Sequence, residues 1–440
     1  MKLGTSFGAP GVSGLPSSKR PTAAPRPMAE ASAMAPDRFR QAVVGRAFTI
    51  AVTAEGAAVG WGDNSLGALG NGAGTRQRGP VAVTLPKGVD VTWLSAKWGT
   101  VYALGSDGQV YAWGDNGFGQ LADGTTDPSP TPVPVAMPVG AKIVDVDAGY
   151  WHALALSSAG EVYAWGDNSC GQLGFGATDE EDGPVAIQVG GSQTVTRVSG
   201  GGMHSLALTR SGSVYAWGDN SYGQLGDGTT HASTKPVAVR LPDLAVFVQV
   251  AALANASLAL TADGRVFAWG DNAFGQLGDG TTVGRPLPVQ ALLPSRLKIC
   301  EISGGSVHAL GLDADGGLRT WGHCHAGQRG VSVLGDRSVP VQVGTPAGTA
   351  FAHVSAGFAH SAGVSTEGRL LSWGADWAGQ LAGEMLPVRP GPTTVPDASV
   401  KDATVLPLGP RAVAAGSARP RVEEPSRWVY VGREVKTAVS

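Results

Sequence analysis

The chain has 440 residues, of which 66 are glycine and only 15% are charged, so turns are abundant and long charged helices are disfavoured. Hydrophobic residues make up 42% of the chain, which excludes wholesale disorder. The formal net charge of −3 provides no general electrostatic attraction for nucleic acid or an anionic membrane, and we expect neither as a partner.

The N-terminal residues and the cysteines indicate the cellular compartment of the protein. Met1–Gly4 is not followed by an apolar segment, so we expect no secretory signal. No run of about 18 apolar residues predicts a membrane-spanning helix. Cys170, Cys300 and Cys324 are too few and too scattered for a disulfide framework. We therefore expect a cytoplasmic protein.

Residues 1–38 precede the first periodic segment. They are rich in Ala, Pro, Ser and Gly and have no apolar period, so we predict a flexible Pro/Ala/Ser-rich arm.

A repeat of 52 residues follows this arm. Its Trp-Gly pair recurs at Trp61, Trp113, Trp165, Trp217, Trp269, Trp321 and Trp373. Three further columns are unbroken in every copy: Gly five residues before the tryptophan, Gly six residues after it, and Pro nineteen residues after it. Such a strict period indicates one structural unit that is used seven times.

Each unit predicts four short strands separated by turn residues. In the fourth unit they are Thr196–Ser199, His204–Thr209, Ser213–Gly218 and Pro236–Leu241. We expect Gly212 to adopt positive φ in the turn between the second and third strands. Trp217 is large enough to fill the wedge between adjacent sheets. Pro236, at the start of the fourth strand, suits an outermost edge because proline has no N–H to donate.

Seven four-stranded sheets bury both of their faces only if they close into a ring. We therefore predict an all-β fold, a seven-bladed β-propeller with four antiparallel strands per blade, over residues 39–402. No stretch sustains an apolar period of 3.6 residues, so no helix is predicted within the repeats.

Half a unit follows the seventh copy. Ala403–Gly409 is in register with Ile143–Gly149, and Ala412–Ala415 with His152–Ala155. We expect residues 403–440, a partial eighth repeat with a C-terminal tail, to latch the ring or to cover its edge. Phe39–Gly45 also resembles a first strand, so the sequence leaves open which terminus closes the ring.

Two adjacent segments have nearly the same sequence: Val214–Thr230 (VYAWGDNSYGQLGDGTT) and Val266–Thr282 (VFAWGDNAFGQLGDGTT). Each follows a strand similar to Gly-x-x-His-Ser-Leu-Ala-Leu. On these motifs, the chain from Phe39 to Ser399 resembles the regulator of chromosome condensation repeat family. The resemblance implies a seven-bladed propeller, in agreement with the count of repeats.

A four-strand meander separates its connections onto two faces. The turn between the first and second strands and the loop between the third and fourth lie on one face, and the remaining connections lie on the other. Residues that recur in most of the long loops, such as Asp219, Asn220, Gln224 and Thr229, are best explained by hydrogen bonds within the turns.

Four blades have histidine at the start of the second strand: His152, His204, His308 and His360. One histidine per blade is too widely separated for a single metal centre. We favour a structural role, in which the imidazole bonds to the backbone of the neighbouring blade. In the family that the chain resembles, matching histidines lie on the face that engages the small GTPase Ran, so these four remain candidate partner-binding residues.

Departures from the repeat indicate where a partner binds, because identical blades cannot discriminate one. The turns before the histidine column contain the candidate partner-binding residues Arg46, Trp98, Tyr150, Trp151, Met203 and Phe358. Exposed aromatic side chains with a nearby arginine are typical of interface anchors. The alternative is that some of these rings cap the central channel.

The sixth copy departs most from the repeat. His323-Cys324 replaces the Asp-Asn pair, His325 follows, and Arg329 replaces leucine. Adjacent ligands alternate sides, and Cys300 lies at no standard zinc spacing, so we predict no metal site. The sequence also has no evident Ser/His/Asp set, phosphate-binding glycine loop or carboxylate pair, and we predict neither a cofactor nor catalytic residues.

The leading hypothesis is a monomeric, non-enzymatic protein-binding scaffold that uses the variable loop face. The resemblance implies three alternatives. Guanine-nucleotide exchange on a small GTPase requires an inserted wedge, for which the loop Asp179–Asp182 is a minor candidate. An ultraviolet-B photoreceptor of the plant type requires clustered tryptophans, and only Trp98 and Trp151 lie in these turns. Inhibition of an enzyme such as a β-lactamase is a property of secreted propellers, and we expect no secretory signal.

Overall fold

The computed structural model describes residues 38–178, 181–191, 193–242, 245–331, 335–382 and 388–394. Within these ranges the chain forms seven four-stranded antiparallel sheets, arranged as the blades of one ring. The predicted all-β, seven-bladed propeller is confirmed. None of the described residues forms a helix with the length and hydropathy that a membrane crossing requires.

Each blade is built from four strands that are consecutive in the chain. The innermost strands are β1 (Phe39–Val44), β5 (Val91–Lys97), β9 (Ile143–Ala148), β13 (Val195–Gly200), β17 (Phe247–Ala252), β21 (Ile299–Gly304) and β25 (Phe351–Ala356). The second strands are β2 (Phe48–Thr53), β6 (Thr100–Gly105), β10 (His152–Ser157), β14 (His204–Thr209), β18 (Ala256–Thr261), β22 (His308–Asp313) and β26 (His360–Ser365). The third strands are β3 (Ala58–Gly62), β7 (Val110–Gly114), β11 (Val162–Gly166), β15 (Val214–Gly218), β19 (Val266–Gly270), β23 (Leu318–Gly322) and β27 (Leu370–Ala375). The outermost strands are β4 (Gln77–Ala82), β8 (Ser129–Pro134), β12 (Glu181–Ile187), β16 (Ser233–Ala238), β20 (Arg285–Gln290), β24 (Arg337–Gln342) and β28 (Val388–Thr394).

The fourth blade shows where the predicted boundaries differ from the structure. β13, β14 and β15 lie within one residue of the prediction, but β16 begins at Ser233, before Pro236. The prediction that Pro236 starts this strand is therefore wrong. The proline lies where the ladder between β15 and β16 is interrupted, because Gly218 pairs with Ser233 and Ala216 with Val237. A residue without an N–H is tolerated at such a bulge of an outermost strand.

Two glycine columns are required by the backbone. Gly212, in the turn between β14 and β15, has a φ of 83°, as predicted. Gly218, directly after Trp217, has a φ of 100°, and a Cβ atom there would lie only 2.5 Å from the carbonyl oxygen of Met203. Any side chain would collide with the start of the second strand, so only glycine fits this position.

The apolar core lies between neighbouring blades, where all seven repeat tryptophans are fully buried. The indole Nε1 of each tryptophan donates a hydrogen bond to a backbone carbonyl of the preceding blade, as from Trp217 to Gln172 at 2.8 Å. The side chain therefore fills the wedge between sheets, as predicted. Replacing such a residue with alanine typically costs about 3–5 kcal/mol.

The ring closes between the first and seventh blades, and no described strand is exchanged between them. Trp61 Nε1 donates to the carbonyl of Gln380 at 3.0 Å, and the N–H of Phe39 donates to the carbonyl of Gly368 at 2.8 Å. Phe39 thus begins the innermost strand of blade one. Residues 1–37 of the predicted arm and the predicted partial repeat at 403–440 lie outside the described residues, and the latch stays a prediction.

Candidate functional site

The turns between the innermost and second strands lie beside the long loops between the third and outermost strands. We term the surface that they share the turn face. Backbone hydrogen bonds hold it together, as from the N–H of Asp219 in a long loop to the carbonyl of Met203 in a turn at 2.8 Å. Neighbouring turns are also joined, as from the N–H of Arg46 to the carbonyl of Trp98 at 2.8 Å.

Five aromatic side chains meet at the centre of the turn face, and we term them the aromatic cluster: Trp98, Phe118, Tyr150, Trp151 and Phe358. The ring centroid of Trp98 lies 4.9 Å from that of Tyr150, 6.1 Å from Trp151 and 5.6 Å from Phe358. Phe118 joins the cluster through Trp151 at 5.5 Å. All five side chains are half-buried. The structure therefore brings four of the predicted candidates into one cluster.

Arg46 also belongs to this arrangement, because its guanidinium carbon lies 5.0 Å from the centroid of the Trp98 ring. A cation over an indole at the protein surface is worth about 0.5–1 kcal/mol. Met203 lies in the turn of blade four, where its sulfur is 3.9 Å from Gln172 Nε2. It makes none of the ring contacts of the cluster.

The aromatic cluster lies where the central channel ends. Tyr150 Oη and Ser306 Oγ, from the third and sixth blades, share a hydrogen bond of 2.6 Å across the ring. Trp98 and Phe358 line the small space beside this bond. Part of the cluster therefore lies over the channel, the alternative that the sequence left open, while its half-buried rings still face solvent on the turn face.

Lys97 crosses the channel directly beneath the cluster. Its Nζ donates to the carbonyls of Gly200 at 2.6 Å and Ala252 at 2.7 Å, which belong to the fourth and fifth blades. Burial lowers the pKa of Lys97, although the charge of Asp147 acts in the opposite direction. The lysine occupies a position that is glycine in most other turns, and this exception was visible in the sequence.

The rest of the channel is a cavity of about 810 Å³ lined by the innermost strands. Its polar side chains mostly bond to the next blade: Gln41 exchanges hydrogen bonds of 2.9 and 3.0 Å with the backbone of Leu94. These bonds satisfy the otherwise unpaired edge of an innermost strand. Burial and the neighbouring Asp147 raise the pKa of Asp145 to about 7. The polar lining is explained by the fold and requires no ligand.

The four candidate histidines lie between blades. His152, His204 and His308 each share a hydrogen bond of 2.8–2.9 Å between Nε2 and a serine of the next blade, and His360 shares one of 3.2 Å with Thr49. All four are at most 1% exposed. Each hydroxyl also donates to a carbonyl, as from Ser257 to Gln224 at 2.9 Å, and His204 and His360 have a hydrogen-bonding contact with the backbone of Ala254 and Phe48 in the next blade.

Burial also determines the charge of these histidines. Desolvation lowers the pKa of each of the four to about 3, so they are neutral near pH 7. A neutral imidazole buried between blades has no surface to offer a partner while the ring is intact.

The recurring polar residues of the long loops are occupied within those loops. Asn220 is fully buried, and its Nδ2 donates to the carbonyls of Thr229 at 3.2 Å and His231 at 3.0 Å. Gln224 Nε2 donates to Asp219 Oδ2 at 2.7 Å. These contacts explain the recurrence through turn structure alone.

The long loops of blades two to five give the turn face an acidic rim. Between their third and outermost strands the sequence has no Lys or Arg, and the described residues include Asp115, Asp123, Asp127, Asp167, Asp219, Asp227, Asp271 and Asp279. All except Asp167 are at least partly exposed. An apolar centre is thus bordered by negative charge.

In blade six, His323 and His325 approach Asp336, at the far end of the same loop. His323 Nδ1 lies 3.0 Å from Asp336 Oδ1, and His325 Nδ1 lies 3.8 Å from the same oxygen. The cysteines do not join them: Cys324 is buried, and the thiol of Cys300 on β21 bonds to the carbonyl of Leu312 at 3.3 Å.

Sequence reasoning missed Phe118, because it examined the short turns for aromatic residues but not the long loops. The equivalent positions of other blades include Leu66 and Tyr222, which are exposed apolar side chains on the same face, and Trp377 is exposed one position earlier in its own loop. Comparing this column between blades would have found them. The apolar surface is therefore larger than the turns alone indicated.

Comparison with known proteins agrees with the fold. A model of the RCC1-like domain matches residues 5–246 and 136–418. The Ultraviolet-B receptor UVR8 of Arabidopsis thaliana is 30% identical over 338 residues, which cover 77% of this chain and 77% of that protein. The human E3 ubiquitin-protein ligase HERC2 is 31% identical over 338 residues, which cover 76% of this chain but only 7% of HERC2. The crystal structure of Prp20p from Saccharomyces cerevisiae, described with its binding properties to Gsp1p and histones, matches with a TM-score of 0.66 and 26% identity, covering 75% of this chain and 82% of Prp20p.

Proposed function

Because this chain belongs to the RCC1-like domain family, we propose that it is a non-enzymatic scaffold that binds a protein partner on its turn face. The observation that supports this most directly is the aromatic cluster, in which two tryptophans, a tyrosine and two phenylalanines stay half-buried beside Arg46. Trp, Tyr and Arg are the residue types that dominate the binding energy of protein interfaces.

Contacts within the chain support the side chains of the cluster. Tyr150 is held by its hydrogen bond to Ser306, and Trp98 is packed between Tyr150, Phe358 and Arg46. Immobilising a flexible side chain on binding costs about 0.5–1.5 kcal/mol, and side chains that are already fixed largely avoid this cost. The arrangement is therefore suited to act as an anchor.

The acidic rim indicates the chemistry of the partner. Six partly or fully exposed aspartates lie in the long loops of blades two to five: Asp115, Asp123, Asp127, Asp219, Asp227 and Asp271. Asp167 in these loops is buried, and Asp279 pairs with Arg285 at 3.1 Å. Complementary charge steers association and excludes partners of like charge. We therefore expect a partner with an apolar patch that meets the cluster and with Lys and Arg around that patch.

The test is to identify a protein that the full chain retains and that a Trp98→Ala/Tyr150→Ala/Trp151→Ala variant does not, and then to measure its affinity in purified form. Trp151→Ala alone should weaken binding about 30-fold, the equivalent of about 2 kcal/mol for a hot-spot residue. The triple variant should abolish measurable binding.

Two controls separate binding from stability. Thermal unfolding of each variant is needed because Trp98 and Tyr150 also pack at one end of the central channel, so their removal can change the stability of the ring. Trp93→Ala is the matched variant, since Trp93 is an exposed tryptophan that lines the open part of the channel, away from the cluster. Unchanged affinity in the folded triple variant, or loss of binding in Trp93→Ala, would contradict the proposal.

The charge of the partner is tested separately. Asp115→Asn/Asp219→Asn/Asp271→Asn should slow association and reduce its dependence on salt, with little effect on dissociation. Glu367→Gln is the control, because this exposed carboxylate lies in the turn between β26 and β27 on the opposite face. Faster association in the triple aspartate variant would mean that the partner is acidic.

A second candidate function is guanine-nucleotide exchange on a small GTPase. It is favoured by the 26% identity with Prp20p, which is described with its binding to Gsp1p. The predicted wedge at Asp179–Asp182 includes Asp179 and Glu180, which lie outside the described residues. Release of a fluorescent guanine nucleotide from purified GTPases decides the matter: acceleration that disappears in the Trp98/Tyr150/Trp151 variant supports exchange, and no acceleration across a panel argues for a scaffold alone.

A further inference from the structure

We propose that His323, His325 and Asp336 form a binding site for a transition-metal ion such as Zn²⁺, at the long loop of blade six. The sequence-based prediction of no metal site considered the cysteines as the additional ligands. In the structure the third ligand is the carboxylate of Asp336, at the end of the same loop. Cys324, which lies between the two histidines in the sequence, is buried.

The distances between the three ligand atoms lie within about 0.3 Å of those around a tetrahedral ion. Ligand atoms at about 2.0–2.2 Å from zinc are about 3.3–3.6 Å from one another. Here His323 Nδ1 lies 3.0 Å from Asp336 Oδ1 and 3.2 Å from His325 Nδ1, and His325 Nδ1 lies 3.8 Å from Asp336 Oδ1. His325 Nδ1 is also 3.1 Å from His323 Nε2, and the two rings stack with their centroids 4.4 Å apart, so the exposed His325 side chain must rotate before its Nδ1 can point at an ion held by His323 Nδ1 and Asp336 Oδ1.

Neighbouring groups orient the ligands. The N–H of Cys324 lies 3.4 Å from Asp336 Oδ1, and the Phe274 ring packs edge-on against His323 at 4.5 Å. The guanidinium of Arg329 donates to the carbonyl of Gly335, directly before Asp336. Groups that fix a ligand from behind typically change metal affinity 10–100-fold. Residues that are particular to blade six therefore help to position the carboxylate of Asp336.

Blade six alone offers this set of ligands. At the position of His323 the first five blades have aspartate, and at the position of His325 the other blades have Ser, Gly, Ala or Trp. Two imidazoles and one carboxylate favour zinc, copper or nickel over magnesium or calcium, which prefer oxygen ligands. The side chains of His323, Asp336 and His325 are 17%, 33% and 71% exposed, so an ion reaches them from solvent and one coordination position is left for water.

The experiment uses the full chain without a polyhistidine tag. Titration with Co²⁺ should give saturable binding at one equivalent with the strong visible absorption of a tetrahedral cobalt site, and Zn²⁺ should displace the Co²⁺. His325→Ala and Asp336→Asn should each weaken binding at least 10-fold. Since His325 is largely exposed, His325→Ala is expected to fold normally, and circular dichroism checks both variants.

The matched control is His231→Ala, because His231 is an exposed histidine in the long loop of blade four. It should leave the cobalt spectrum and the affinity unchanged. Absence of saturable binding, equal affinity in folded His325→Ala and Asp336→Asn, or an equal loss in His231→Ala would overturn the proposal. None of these readouts depends on a protein partner.

Discussion

Acidification should destabilise this protein through the histidines between its blades. His152, His204, His308 and His360 are buried, and desolvation lowers the pKa of each from an ordinary value of 6.5 to about 3. Between these two values such a histidine stays neutral in the folded chain but takes up a proton when the chain unfolds. Its contribution to stability is therefore fully present above pH 6.5 and is lost progressively as the pH falls toward 3.

The size of the effect follows from the number of protons. Each proton taken up on unfolding changes the free energy of unfolding by about 1.4 kcal/mol per pH unit. Asp145 opposes the histidines: its pKa is raised from 3.8 to about 7, so between these values the folded state holds a proton that the unfolded state releases. Four histidines less one aspartate leave a net uptake of about three protons near pH 5.5, or a slope of about 4 kcal/mol per pH unit. A fall of one or two pH units would then consume much of the stability of a typical domain, about 5–15 kcal/mol.

The substitution His204→Phe removes one of the four buried histidines and, with it, one of the protons taken up on unfolding. Phe48 occupies the equivalent position of blade one, which shows that an aromatic ring is accommodated there. Urea unfolding between pH 5 and pH 7.5 should give nearly the slope of the unsubstituted protein above pH 7 and, below about pH 6, a slope that is lower by up to about 1.4 kcal/mol per pH unit, or about 2 kcal/mol less loss of stability over the whole range. Calorimetry in two buffers of different ionisation enthalpy should register about one proton fewer on unfolding.

His231→Ala provides the comparison, because His231 is an exposed histidine of a long loop and is not buried between blades. An unaltered slope in His204→Phe would refute the reasoning, as would a denaturation midpoint of the unsubstituted protein that stays constant from pH 7.5 to pH 5. Either result would mean that these histidines accept protons in the folded ring.

Three further substitutions test the packing by urea unfolding at pH 7.5. Gly218→Ala should lower the free energy of unfolding by at least about 2 kcal/mol, because its Cβ would lie 2.5 Å from the carbonyl oxygen of Met203 at a φ of 100°; a neutral effect would mean that the strand shifts freely. Trp217→Phe should cost about 2 kcal/mol, since it removes the 2.8 Å hydrogen bond to Gln172 and part of the wedge, and a cost below 0.5 kcal/mol would contradict the wedge role. Lys97→Met keeps the length of the side chain but leaves two carbonyls without their donor, so we expect a loss of about 2 kcal/mol, and a gain would show that desolvating the ammonium outweighs its hydrogen bonds.

The architecture was predictable because each blade repeats the same local constraints. Trp217 between blades, Gly212 and Gly218 at positive φ, and four short strands per blade follow from residues close together in the chain. The position of Pro236 within its strand was not predictable. It depends on an irregular pairing between two strands, which the pattern of either strand alone does not contain.

The face of the candidate site also followed from the sequence, because a meander has only two faces and its turns alternate between them. The composition of the site did not. Trp98 of blade two meets Phe358 of blade seven, and Tyr150 reaches Ser306 across the axis. These contacts depend on the radius of the closed ring, which no single repeat encodes.

The same reason applies to two polar features, the histidine column and the histidines of blade six. The histidine column recurs in four blades, but only the packing of one blade against the next buries each imidazole beside the hydroxyl of its neighbour. His323 and Asp336 lie at opposite ends of a long loop in the sequence, and in the folded chain their side chains come within 3.0 Å of each other. The sequence by itself determined the unit, the number of units and the face on which they vary. Only the tertiary structure decided which of the varying side chains meet, because those distances are set by closure of the ring and by the paths of its loops.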